Sequence, residues 1–308
     1  TLDLQRGSDG DLRLVYDYGD ALYYTAQSDT GWLTPTEVIP KDDCDLDSGY
    51  ALALDAEDIP HVACRHFSAG NRELRLYTRT LTAPWTTYEV VTSSDTTLYY
   101  YPSLTYDGAV PHLAFFGAYR RLYHAQYNGA WQTTLVDDSV PSTYLRQGTA
   151  LDIHKGQVGI AATLREGSYG NYTMTLQYAA RPLTSTTWAT ETVATLAYEM
   201  GDPEPTLALD GDGYAHLAYY YNPDKVLRYT AEVRAFTPDV VDKSRRIRSA
   251  AVAVDNGGGV HVVWHSDDLR YAVCAAGTTT WTRDIAVSSP DMTYLNLALA
   301  VDEAETPH

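Results

Sequence analysis

The sequence predicts an all-β fold, a single β-propeller of six four-stranded antiparallel blades. Three observations carry that reading. One phrase recurs six times: a short apolar strand ending in Asp, a turn, then His and another apolar run. Self-similarity at roughly fifty residues marks a repeat architecture, and it outranks any single motif. Each copy is followed by two further short strands, and no stretch carries a helical period.

The phrase itself is the first hairpin of each unit. Ala51-Leu-Ala-Leu-Asp55 leads to His61, Ser103-Leu-Thr-Tyr-Asp107 to His112, Thr206-Leu-Ala-Leu-Asp210 to His216, and Ala251-Val-Ala-Val-Asp255 to His261. Ala150-Leu-Asp-Ile-His154 is degenerate, with Gly159 at the His position. A sixth phrase, Ala298-Leu-Ala-Val-Asp302, reaches His308 at the last residue. The third strand of each unit carries Leu-x-Tyr or a near variant, as at Leu22-Tyr-Tyr24, Leu122-Tyr123, Leu176-Gln-Tyr178, Leu227-Arg-Tyr229 and Leu269-Arg-Tyr271. A polar turn then ends in Trp32, Trp85, Trp131, Trp188 or Trp281, with Phe236 in the fifth unit, and a fourth strand such as Tyr88-Glu-Val-Val91 closes it. Blades taper toward their axis, so the Ala-rich strand is expected innermost and the Trp-led strand outermost. The repeats run at approximately 1–49, 50–102, 103–149, 150–205, 206–249 and 250–296, within one domain spanning 1–308. The first is aberrant, with Gly7-Ser-Asp-Gly10 and Arg13 in place of the usual turn and His. Residues 297–302 are expected to close the ring by completing that first blade. The alternative is a seventh blade, truncated after His308.

Composition narrows the partners. Forty Asp and Glu stand against 22 Lys and Arg, a net charge of −18, and such a field repels nucleic-acid phosphates. No apolar run reaches the length of a membrane span, so no membrane insertion is expected. Three cysteines form no disulfide framework, though Cys44 and Cys64 are placed to pair if their Cα atoms approach closely. Tyr is abundant, 26 residues against four Phe, and suits both half-buried strands and wet binding faces.

The pattern Ser/Ala-Leu-Ala-Leu-Asp, His-Val-Ala, Leu-x-Tyr and Trp resembles secreted bacterial and archaeal β-propeller repeats. It is also distantly similar to the BNR (Asp-box) propellers of sialidases, although Ser28-Asp-Thr-Gly-Trp32 departs from true Asp-box spacing. The resemblance implies a fold and an extracellular or cell-surface location. It leaves function open, because this fold hosts lectins, hydrolases, lyases and scaffolds.

Residues repeated in every blade hold the blade, so function is sought where repeats differ. The repeated His residues stand apart around a ring and would each bond the repeat's own Asp or a turn carbonyl, not a shared metal. Candidate ligand-binding residues at the channel mouth are Tyr99, Tyr101, Arg146, Arg248, Tyr220, Trp264 and His265, aromatic and cationic groups of the kind that stack on and hydrogen-bond to sugar rings. Asp43, Asp45 and Asp47 alternate like a calcium loop, but the following Gly and Glu do not fit an EF-type site. No cofactor is expected beyond that weak calcium candidate. No phosphate loop, Ser-His-Asp signature or metal spacing is present. A non-catalytic binding propeller for glycans or a protein partner is therefore favoured. A scaffold module of a larger protein or assembly is the alternative, and a glycoside hydrolase or lyase the second.

Overall fold

The computed structural model describes residues 2–19, 21–39, 43–68, 71–79, 85, 87–94, 100–117, 121–137, 148–168, 171–197, 205–221, 224–243, 247, 249–288, 297–302 and 304–308. The protein is an all-β, six-bladed propeller with four-stranded antiparallel blades. The chain divides into two compact units, Thr1–Pro141 and Ser142–His308, with three blades in each.

Every blade is a meander whose strands pair in chain order. Blade 1 comprises Leu2–Arg6, Leu12–Tyr18, Ala21–Ser28 and Thr36–Ile39, with Gly31–Trp32 added to its third strand. Blade 2 comprises Tyr50–Leu54, Pro60–Ser68, Asn71–Thr78 and Thr87–Ser94, and blade 3 Tyr100–Asp107, Val110–Phe116, Leu122–Tyr127 and Trp131–Asp137. Blade 4 is Thr149–His154, Gln157–Ser168, Asn171–Pro182 and Ala189–Ala197. Blade 5 is Thr206–Leu209, Ala215–Tyr221, Val226–Ala231 and Asp239–Asp242, and blade 6 Ser249–Val254, Val260–His265, Leu269–Cys274 and Trp281–Val287.

The repeated Asp and His latch the first hairpin. In the turns starting at Asp55, Asp210 and Asp255, the Asp N–H donates to the carbonyl four residues on, and the residue three on donates back to the Asp carbonyl. That third residue has a positive φ, as at Asp58 (58°), Gly213 (88°) and Gly258 (83°), which explains the glycines there. One carboxylate oxygen accepts the N–H groups of Ile59, Tyr214 or Gly259 at 2.7–2.9 Å. The other meets Nε2 of His61 (3.0 Å), His216 (3.2 Å) or His261 (2.9 Å). In blades 5 and 6 the far nitrogen of the ring meets the hydroxyl of the Leu-x-Tyr tyrosine, Tyr229 or Tyr271, at 2.6 Å. His61, His216 and His261 are thus held by their own repeat's Asp, as expected, whereas His112 departs from the pattern and meets the His124 ring at 3.1 Å.

Packing between blades follows a second rule, in which the Trp-position ring of one blade meets the Tyr of the preceding blade edge-on. Trp85 approaches Tyr24 at 5.4 Å, Phe236 approaches Tyr178 at 5.5 Å and Trp281 approaches Tyr229 at 5.2 Å. Edge-on rings at these separations are favourable beyond the area they bury. The cores lie between blades, as with Val15, Leu22, Leu52 and Val62 for blades 1 and 2.

A bulge occupies one place in all six blades, immediately after the repeated Leu of the third strand. The fourth strand skips one residue there: Val38, Val91, Val136, Val193, Val241 or Ala286. The skip turns Val38, Val91, Val136 and Val241 into the core.

Blade 1 draws all four strands from residues 2–39. Its inner position is filled by Leu2–Arg6, so residues 297–302 are not needed to complete it. Arg13 replaces the latch His and pairs with Asp9 across the Gly7–Gly10 turn. Residues 300–302 and 304–308 pair with one another, with Ala300 and His308 exchanging backbone hydrogen bonds and Asp302 meeting His308 at 3.2 Å.

Candidate functional site

The latch fixes one end of blades 2, 5 and 6, and the opposite end of the blades is where sequences diverge. Four residues beyond the latch position, each second strand pairs with the repeated Leu. The six residues facing that invariant Leu are Asp17, Arg65, Phe116, Thr163, Tyr220 and His265. The position is structurally equivalent and chemically different in every blade; Arg65, Phe116, Thr163 and His265 are buried there, while Asp17 and Tyr220 are half-buried.

Blade 5 presents a partly open set. Tyr219 is buried, whereas Tyr220 and Tyr221 are half-buried at the strand end. Arg228 follows the repeated Leu227, and its guanidinium lies 3.6 Å over the Tyr221 ring. It also donates to Asp224 at 2.7 Å, a carboxylate whose side chain is 57% exposed. Stacking an Arg on Tyr while binding it to a carboxylate fixes its plane and leaves donors along the edge. An aromatic face, a fixed fork of donors and an exposed acceptor suit a sugar ring. Blade 6 carries the same Leu-Arg step, with Arg270 near Asp242 (3.7 Å) and Asp268 (3.9 Å).

In blade 2 the corresponding end is covered. The Cys44 and Cys64 sulfurs are bonded, with Cα atoms 5.9 Å apart. Asp45 donates its N–H to the Arg65 carbonyl at 2.7 Å, and its carboxylate pairs with the Arg65 guanidinium. The Asp43 carbonyl faces the His66 ring nitrogen at 2.8 Å and accepts the Tyr77 hydroxyl at 3.3 Å. Calcium does not fit this arrangement, because a cation at Asp45 would meet a guanidinium. Among the described residues no group of three His, Cys, Asp or Glu could hold a metal. The Asp47 side chain lies outside them.

The predicted site residues separate on burial. Trp264 is 1% exposed in the core between blades 5 and 6, and His265 is fully buried. The second strand runs on through both residues, which places them inside the blade and not in a loop, so neither ring is open to a ligand. Tyr220 pairs with Leu227 at the divergent end and is half-buried. Tyr101 is half-buried with φ of 48° and packs against Gly49, itself at φ 79°. Tyr99, Arg146 and Arg248 lie outside the described residues. Arg228 and Asp224 were not among the expected residues; the Leu-Arg step after the second strand is the signal that marks Arg228.

A Tyr–carboxylate pair also occurs, with Tyr50 donating to Asp17 at 2.9 Å. Burial, together with the charge of Asp17, pushes the Tyr50 hydroxyl far above its ordinary range. Tyr50 therefore stays protonated, as a donor in the seam between blades 1 and 2, and is unsuited to act as a nucleophile.

No protein-family model matches the sequence, and no curated protein does either. Solved structures do match in fold. AofleA from Arthrobotrys oligospora aligns over 94% of this chain and 86% of its own, with 11% identity and a TM-score of 0.56. The SapL1 lectin in complex with α-methyl fucoside covers 94% and 96%, with 10% identity and a TM-score of 0.57. The α-L-arabinofuranosidase Arb93A from Fusarium graminearum covers 90% and 93%, with 12% identity and a TM-score of 0.57. At such identities the likeness concerns architecture, and the chain is similar to both binding and hydrolysing β-propellers.

Proposed function

We propose that the protein is a non-catalytic, extracellular glycan-binding propeller whose open site lies at the divergent end of blade 5. The observation that carries this reading is the Tyr221–Arg228–Asp224 set, in which a stacked guanidinium and an exposed carboxylate adjoin a tyrosine face. The shared architecture of lectins solved with fucosides supports it as a fold-level analogy. The Cys44–Cys64 bond supports an oxidising compartment. Among the described residues no helix is long and apolar enough to cross a membrane.

A glycan array that includes α-fucosides and arabinobiose tests the proposal. Binding that falls at least tenfold in Arg228→Ala and in Tyr221→Ala supports it, while binding unchanged in both variants removes blade 5 as the site. Release of arabinose from arabinobiose would replace it with the hydrolase reading, for which the fold likeness to Arb93A is the one supporting observation.

A further inference from the structure

The segment preceding blade 2 does more than connect. Three successive residues of it, Asp43, Cys44 and Asp45, are gripped by three successive residues of the second strand, His66, Cys64 and Arg65, through a hydrogen bond, a covalent bond and an ion pair. Farther on, Gly49 adopts a left-handed φ, and a Tyr101 ring carbon lies 3.1 Å from where a Cβ would stand. With the segment in place the Arg65 side chain is only 10% exposed. In blade 5 the carboxylate beside the equivalent end, Asp224, faces solvent instead.

Asp45 is thus a carboxylate delivered to a buried guanidinium by the chain itself. We propose that the end of blade 2 is a second binding site, for the carboxylate of an acidic saccharide of the uronic-acid class, shut by its own occupant. Asp43–Gly49 is the strap, and the Cys44–Cys64 bond is its catch. A dithiol reductant opens the catch: two electrons and two protons convert the bond into two thiols, and the reductant closes into its own disulfide. Cys64 is fully buried and Cys44 partly exposed, so attack falls on the Cys44 sulfur. Once the catch is open, Asp45 holds Arg65 only by a noncovalent pair, which a ligand carboxylate can replace. The proposal rests on reading the divergent ends as glycan sites, and it assigns blade 2 a ligand class of its own.

Trigalacturonate is the probe, titrated into the whole protein by thermophoresis with and without dithiothreitol, with amide exchange followed in parallel. Reduction is expected to raise affinity at least tenfold and to lower protection across Asp43–Gly49. Cys44→Ser should reproduce the gain without reductant, and adding Arg65→Ala should abolish it. No gain on reduction or in Cys44→Ser, in protein that keeps its far-ultraviolet spectrum, overturns the proposal. If Cys44→Ser does not fold, Asp45→Asn with the bond intact takes its place: a several-fold gain supports the proposal and none refutes it. Blade 5 is read separately, because Arg228→Ala should remove neutral-glycan binding while leaving the reduction-dependent gain untouched.

Discussion

At the residue scale, one aspartate per turn does the work of a small network. Asp255 accepts the Gly259 N–H at 2.7 Å and meets His261 at 2.9 Å, while the same imidazole meets the Tyr271 hydroxyl. Removing an acceptor leaves donors unsatisfied, at about 1–3 kcal/mol in each buried case. Asp255→Ala is therefore expected to lower unfolding free energy by about 2 kcal/mol in urea, and Tyr271→Phe by about 1 kcal/mol. Equal stability of Asp255→Ala and the parent would show that the turn closes without its carboxylate. These roles were legible in the sequence because the residues recur at fixed spacing, and a residue repeated in several blades must answer a demand common to them. Trp264 and His265 were misread for the converse reason. They do not recur, and only the full length of the second strand shows that they lie within the blade.

At the scale of the strand, the bulge sets the outer edge of each blade. Val241 is fully buried while its neighbour Val240 is 40% exposed, although both are valines on one four-residue strand. Val241→Ala should cost about 2 kcal/mol from lost burial, and Val240→Ala under about 0.5 kcal/mol. Comparable losses in the two variants would mean that the register differs from the one described. Nothing in the composition of Asp239–Asp242 announces this skip, since it depends on pairing with Leu227 and Arg228. The Cys44–Cys64 bond was equally invisible as a certainty, because Cα approach is a property of the folded chain. The strand count, strand order and turn positions, by contrast, follow from alternation and spacing alone.

At the scale of the whole molecule, proton linkage divides into two opposing groups. Asp3 and Asp152 lie on the first strands of blades 1 and 4, neither of which carries the Asp–His latch, and each accepts a backbone N–H from the next blade's first strand, Leu52 at 2.8 Å and Leu209 at 2.7 Å. Burial pushes both carboxyls up to about 6. Their folded forms hold a proton more tightly than the unfolded chain, so they add stability as pH falls from above 6 toward the ordinary carboxylate range. Burial lowers His61 and His216 below their ordinary value, so those two remove stability as pH falls through about 6.5. An Asp3→Asn, Asp152→Asn double variant should therefore exceed the parent by about 1–2 kcal/mol near pH 7.5, with the gap closing near pH 4. A gap that is independent of pH would sink the assignment. The repeated bulge also bears on how copies of the molecule meet. Six fourth strands each end a meander with one side unpaired, and unpaired strand sides are templates for joining another chain. A register skip at the same place in all six breaks the even row of donors and acceptors that such joining needs, so the device that buries a valine also discourages one molecule from extending the sheet of the next.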